Sequence, residues 1–174
     1  ATAAEKPLPP ALAPHLEALT EASLSQTIPV LETLEAEGGE AVQPLFLHLL
    51  EGDLYFIKSS RQVIAVTESA GKDTFIDMLS GVEIEPLSSR DIKKIRVNNR
   101  LRGHLRDAIA RLQLGSASAS VRESAVRALL SDLDANTLSV IREARLNESA
   151  ANVREVLDMA LALNRLNTAA EASD

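Results

Sequence analysis

The feature that most narrows the folds open to this chain is an internal echo near its C-terminal end. Val121-Arg122-Glu123 recurs as Val153-Arg154-Glu155, and Ala128-Leu129 recurs as Ala160-Leu161, every match at the same offset of 32 residues. Between the two copies, Leu138, Ile141 and Ala144 supply one face of an intervening helix. Ser118 and Ser149 precede the two Val-Arg positions and read as helix caps. A helix–turn–helix unit with a period near 32 cannot bury its apolar face alone. It stacks on copies of itself, which predicts a helical solenoid. Composition points the same way. Phe46, Tyr55, Phe56 and Phe75 are the only aromatic residues, so burial falls to Leu, Ala, Ile and Val, which pack helix against helix.

The spacing and the Val-Arg…Ala-Leu pattern resemble HEAT-type repeats. In that family the Val is core and the Arg hydrogen-bonds along the ridge between units, a structural role that the resemblance implies for Arg122 and Arg154. Periodicity extends the helical reading upstream. Leu12, Leu16 and Leu19 share a face, as do Ile28, Leu31 and Leu34 (with Thr27 as N-cap), and then Val42, Leu45, Phe46, Leu49 and Leu50. Gly52-Asp53 ends that pattern. Residues 54–58 and 62–66 are β-branched and aromatic, with Ser59-Ser60-Arg61 between them, a hairpin signal that lacks a Gly to supply positive φ. Phe75, Ile76 and Leu79 suggest a short helix, and Ser88 with Asp91 a capping box. Val97, Leu101, Leu105, Ala108 and Leu112 mark the clearest amphipathic helix, from which Ile92 and Ile95 fall out of phase. The expected fold is therefore mainly α: a HEAT-like helical repeat stack, a right-handed α-solenoid or bundle, with a small β-hairpin insertion near 54–66. Residues 1–10, rich in Pro, read as a flexible tail, 11–165 as one helical-repeat domain with a hairpin insertion over 52–87, and 166–174 as a C-terminal tail.

Several chemistries are excluded by residue type. The chain has no Cys, which removes disulfides, thiolate catalysis and Cys-ligated metals. No Gly-x-Ser-x-Gly elbow and no Gly-rich phosphate cradle occur. His15, His48 and His104 fall on three different expected helices, and none has a second His at i+3 or i+4. The acids Glu32, Glu35, Glu37, Glu40, Asp132 and Asp134 read as solvated faces and helix-end charges. No catalytic, cofactor-binding or metal-binding residue is expected. No stretch reaches the roughly 20 apolar residues needed to span a bilayer.

One charge anomaly stands out. Within 90–111, Arg90, Lys93, Lys94, Arg96, Arg100, Arg102, Arg106 and Arg111 give eight cations against Asp91 and Asp107, in a chain of formal net charge −7. A chain that acidic overall is no general nucleic-acid binder. The cluster reads either as a basic face paired with acids of the same fold or as a docking surface for an acidic partner. The candidate interaction surface is Lys93, Lys94, Arg96, Arg100, Arg102 and Arg106.

The order of these features resembles the N-terminal extracytoplasmic domain of the urea/short-chain amide ABC transporter permease, in the group that also contains the branched-chain amino-acid permeases. The residues that carry the likeness are Leu49-Leu50-Glu51-Gly52-Asp53-Leu54-Tyr55, then Lys58 and Val63-Ile64. Above all they are Asp91-Ile92-Lys93-Lys94-Ile95-Arg96-Val97-Asn98-Asn99-Arg100-Leu101-Arg102, with Ala125-Val126-Arg127-Ala128-Leu129 downstream. The resemblance spans about 38–165, and residues 59–61 and 67–87 depart from it. It implies a soluble, non-catalytic accessory domain in the periplasm, part of an inner-membrane permease for urea or short-chain amides. The implied partners are the transmembrane part of the same permease, a second permease subunit, a periplasmic solute-binding protein and, through the full complex, cytoplasmic ATPases. It implies no urea-binding residue here. The alternatives are a freestanding HEAT-like protein-binding scaffold and direct urea sensing by this domain. Ala1-Thr2-Ala3-Ala4 reads equally as a mature end left by signal removal or as a cut edge.

Overall fold

A computed structural model describes residues 5–173. The chain divides into two compact units, Ala1–Arg106 and Asp107–Asp174. The first is mixed α/β, and this corrects the expectation of a mainly α repeat stack. Its helices are α1 (Ala13–Glu21), α2 (Leu24–Gly38) and α3 (Gln43–Glu51), with 3-10 turns at Pro10–Leu12 and Gly39–Val42. They are followed by the strands β1 (Leu54–Ile57), β2 (Val63–Ser69), β3 (Lys72–Asp77), β4 (Glu83–Ile84) and β5 (Ile92–Lys94). The strands form one antiparallel sheet in the order β4-β3-β2-β1-β5. α4 (Asn99–Gln113) spans the boundary, and α5 (Ala119–Leu129), α6 (Ala135–Asn147) and α7 (Ala151–Glu171) complete the chain.

The expected hairpin is present as β1–β2, with Phe56 opposite Val63 and Leu54 opposite Ala65, all four buried. It is the centre of a five-stranded sheet and not an insertion into helices. An isolated hairpin is marginal in water. Here it gains β3 on one side and β5 on the other, while α1 lies against β2 and α3 against β1. The short helix expected at Phe75, Ile76 and Leu79 is replaced by β3. Its partner β2 reaches it through Ala70 and Gly71, both at positive φ, which is the backbone of a two-residue hairpin turn with native twist. The capping box expected at Ser88 caps no helix. Ser88 Oγ accepts from Arg90 N in a turn ahead of β5. Ile92 and Ile95 are out of phase with the following helix because they belong to strand β5 and its end. Ile95 N donates to Leu54 O.

α2 is capped by Ser23, not by Thr27. Gln26 Oε1 accepts from Ser23 N, and Thr27 is buried inside the first turns. Of residues 1–10, expected as a flexible tail, 1–4 lie outside the described residues and 5–10 are tied down. Glu5 N donates to Gly81 O, Leu8 N donates to Leu79 O, and Leu8 is buried. At the other end, α7 continues through 166–171.

In the second unit α7 packs on both α5 and α6 around Ala110, Ala125, Val126, Leu129, Ile141, Val153, Val156, Leu157 and Ala160. The 32-residue echo does not repeat structurally. Val121 is exposed where Val153 is fully buried, and Ala128 is exposed where Ala160 is buried. Burial recurs instead 31 positions on (125 to 156, 126 to 157, 129 to 160). A helix face turns by about 100° per residue, so a one-residue discrepancy separates matching letters from matching environments. One helical triplet is also short of the three or more units a solenoid needs. Arg122 does tie loops together: its Nε and Nη2 donate to the Glu148 carboxylate at 2.8 and 3.0 Å, and Nη1 donates to Ser116 O at 2.7 Å.

Candidate basic groove and carboxylate–histidine sites

The first unit carries an open groove of about 590 Å³ where the α1–α2 corner approaches the β5 edge of the sheet. One wall is Thr20 through Leu24 with Gln26 and Thr27, at the N-terminal end of α2. The other is Phe56, Arg61, Lys93, Lys94, Ile95 and Arg96. Among the lining residues four are cationic and one, Glu21, is acidic. Arg61, Lys93, Lys94 and Arg96 are all exposed, so their charges face water. The N-terminus of α2 adds the positive end of a helix dipole.

The local chain geometry explains how the cations converge. Among the described residues β5 is a sheet edge with β1 as its only neighbouring strand. Lys58 N donates to Asp91 O and Ile95 N donates to Leu54 O. In an antiparallel ladder the bonded residues alternate, so the Asp91 carbonyl, Lys93 and the Ile95 N–H turn toward β1, while the Asp91 N–H donates to Ser88 O. The N–H and C=O groups of Ile92, Lys94 and Arg96 point away from the sheet, where no strand meets them. Lys94 pairs across the ladder with Tyr55 and its ammonium lies 5.7 Å from that ring's centroid. Arg61 occupies the turn between β1 and β2 at φ 63°, an uncommon conformation for a non-Gly residue. That conformation brings its guanidinium 5.2 Å from the centre of the Phe56 ring.

Three of the six expected surface residues line this groove and three do not. Lys93, Lys94 and Arg96 line the groove. Arg100, Arg102 and Arg106 lie on α4 outside its lining, Arg102 half-buried with Nη1 donating to Asn99 Oδ1 and the other two exposed. Arg61 was not anticipated. Its one trace in the sequence is a hairpin turn with no Gly, which obliges some other residue to take the positive φ.

His15 and His48 each meet a carboxylate. His15 Nε2 lies 2.5 Å from Glu37, and His48 Nε2 lies 2.6 Å from Glu5. In the second unit, Arg122 holds the Glu148 carboxyl below its ordinary range through their hydrogen bonds, and Arg145 does the same to Asp158. Hydrogen bonds from Asn152 and Arg127 lower Glu123. These are structural ion pairs, not an acid–base pair with shifted, opposed roles of the kind a hydrolytic centre uses. No helix among the described residues is long and apolar enough to cross a membrane. No family model matches the chain, and neither a curated protein nor a solved structure does so.

Proposed function

We propose that this chain is a non-catalytic docking module that takes up an extended acidic segment of a protein partner by adding it as a strand to β5. The observation that carries this reading is the coincidence of an open sheet edge with a cationic groove. The outward backbone groups of Ile92, Lys94 and Arg96 provide sequence-independent hydrogen bonds for an added strand. Lys93, Lys94, Arg96 and Arg61 select its charge. Lysines on an edge strand also discourage pairing with a second, identical edge, because like charges would face each other. The same edge thus disfavours self-association and favours a carboxylate-bearing strand.

The biological setting we propose is the one the sequence resemblance implies. The module is an extracytoplasmic part of an ABC permease for urea or short-chain amides, and the acidic segment belongs to the periplasmic solute-binding protein. What supports this is that the run with the strongest likeness, 91–102, is the run that forms β5, one wall of the groove and the first turn of α4. The resemblance implies no urea-binding residue in this module.

The test is a pull-down of the solute-binding protein by the chain and by the double variant Lys93→Glu/Arg96→Glu. Both positions are exposed, so the fold tolerates the change. Capture by the native chain, lost in the double variant and weakened when salt rises from about 0.15 M to about 1 M, is expected, because the screening length falls from about 8 Å to about 3 Å. Capture that ignores both the charge reversal and the salt would refute docking through this groove.

A further inference from the structure

The last turn of α3 carries His48 and Glu51 three residues apart, which puts both on one side of the helix. Gly52 follows at φ +84° and reverses the chain, with Asp53 N donating to His48 O at 2.9 Å. The left-handed residue therefore swings the Asp53 side chain back beside the imidazole. One ligand atom each from His48, Glu51 and Asp53 lies within 4.8 Å of the others.

The state of the imidazole gives the cluster its meaning. The Nε2 atom is 2.6 Å from Glu5 Oε1. An ionised carboxylate only accepts, so Nε2 carries the proton and donates. In a neutral ring that leaves Nδ1 as a bare lone pair. Nδ1 is buried and has no hydrogen-bond partner, and its nearest acid oxygen, Asp53 Oδ2, stands 3.8 Å away. That separation is too long for a hydrogen bond. In that tautomer Nδ1 and Asp53 Oδ2 both present lone pairs 3.8 Å apart, a separation that two ligands of one cation can span. The outer carboxylate on the far ring nitrogen is the arrangement that orients and strengthens metal-binding histidines elsewhere. His15 is a contrasting case: it lies on α1 with its Nε2 against Glu37.

We propose that His48 Nδ1, Asp53 and Glu51 form a binding site for one divalent transition-metal ion of the zinc type, with Glu5 as the outer carboxylate that positions His48. An imidazole nitrogen with two carboxylates suits a borderline cation, and the remaining positions go to water because Glu51 is exposed. Glu5 belongs to the segment fastened to Gly81 and Leu79, so metal binding also holds that segment in place. None of the three ligand residues lines the basic groove, although the groove's Lys94 reaches Gly52, between Glu51 and Asp53, with its Nζ 3.4 Å from where a Cβ on that glycine would lie.

The experiment is titration of the full chain with zinc chloride by calorimetry, repeated with cobalt(II) to read the visible absorption of a bound ion. One saturable site is expected. Asp53→Asn and His48→Gln should each lower zinc affinity at least about tenfold, and Glu5→Gln should lower it about 10- to 100-fold as outer-carboxylate losses do. His15→Gln should leave it unchanged. Circular dichroism checks that each variant folds. If His48→Gln does not fold, Asp53→Asn and Glu51→Gln decide the question alone. Absence of saturable zinc binding overturns the proposal, as do affinity unchanged in the folded variants and calcium binding as tight as zinc, since the last would mean that the imidazole is not a ligand.

Discussion

Gly81 fastens the N-terminal segment to the sheet, and replacing it with Ala should loosen that segment more than it lowers overall stability. Gly81 is buried with φ +73°, and a Cβ built there would lie 2.0 Å from the carbonyl oxygen and 2.8 Å from the carbonyl carbon of Glu5. These are backbone atoms, so no side-chain rotation relieves the overlap. Two terms follow. Holding Ala in a left-handed conformation costs about 1–2 kcal/mol. Displacing the segment forfeits the hydrogen bonds of Glu5 N and Leu8 N, worth about 1 kcal/mol each, and the burial of Leu8, worth about 2 kcal/mol. Freed residues regain about 1–2 kcal/mol each in chain entropy, although Pro7, Pro9 and Pro10 are stiff and return less. The second term nearly cancels, which leaves a net loss of about 1–2 kcal/mol, close to the backbone term alone.

Gly71→Ala is the matched control. Its φ is +76° and nothing lies within 4 Å of an added Cβ, so it should show the backbone cost alone, about 1–2 kcal/mol. The assays are guanidinium unfolding for the global term and hydrogen exchange at the Leu8 amide for the local one. Leu8 should lose its protection in Gly81→Ala and keep it in Gly71→Ala. Equal Leu8 protection in the two variants would refute the claim that Gly81 is where the segment is fastened.

Other outcomes follow from the ion pairs of the second unit. Arg122→Lys should destabilise the protein more than Arg145→Lys. A single ammonium cannot reproduce the two bonds to Glu148 together with the bond to Ser116 O, whereas the Arg145–Asp158 pair is more exposed; comparison of guanidinium midpoints checks the order. Glu148 ionises below its ordinary 4.5 in the folded protein, because Arg122 hydrogen-bonds it. A carboxyl with a lowered folded value contributes stability that is complete above its unfolded value and is lost as pH falls through the folded one. Glu148→Gln should therefore flatten the decline in stability below about pH 4.5, measured as the midpoint of chemical unfolding against pH; an unchanged acid slope would refute this assignment.

What the sequence made legible was local. The β1–β2 hairpin announced itself by composition, and α4 by a period that places Leu101, Leu105 and Ala108 on one buried face. β5 was hidden because Ile92-Lys93-Lys94 is too short to show a period, and β3 because its first half, Lys72-Asp73-Thr74, is polar and exposed or half-buried and gives no alternation. Their identity as strands is decided by neighbours: Ile76 pairs with Ala65, and Lys93 with Phe56. The repeat misled because residue identity and burial differ by one position, and burial is what packing selects. Both sites depend on contacts between distant segments. Glu5 and His48 are 43 residues apart, and Arg61 reaches the groove through a backbone conformation that a non-Gly residue rarely adopts.

The central claim is that the outer edge of β5 receives an acidic strand, and amide exchange resolved by residue tests it most directly. A short glutamate-rich peptide is added in excess, and protection is read along 91–96. Strand addition predicts alternation: the amides of Ile92, Lys94 and Arg96 become protected, while those of Lys93 and Ile95, already bonded to β1, barely change. Binding with no gain at Lys94 and Arg96, or a uniform gain across all six residues, would contradict it.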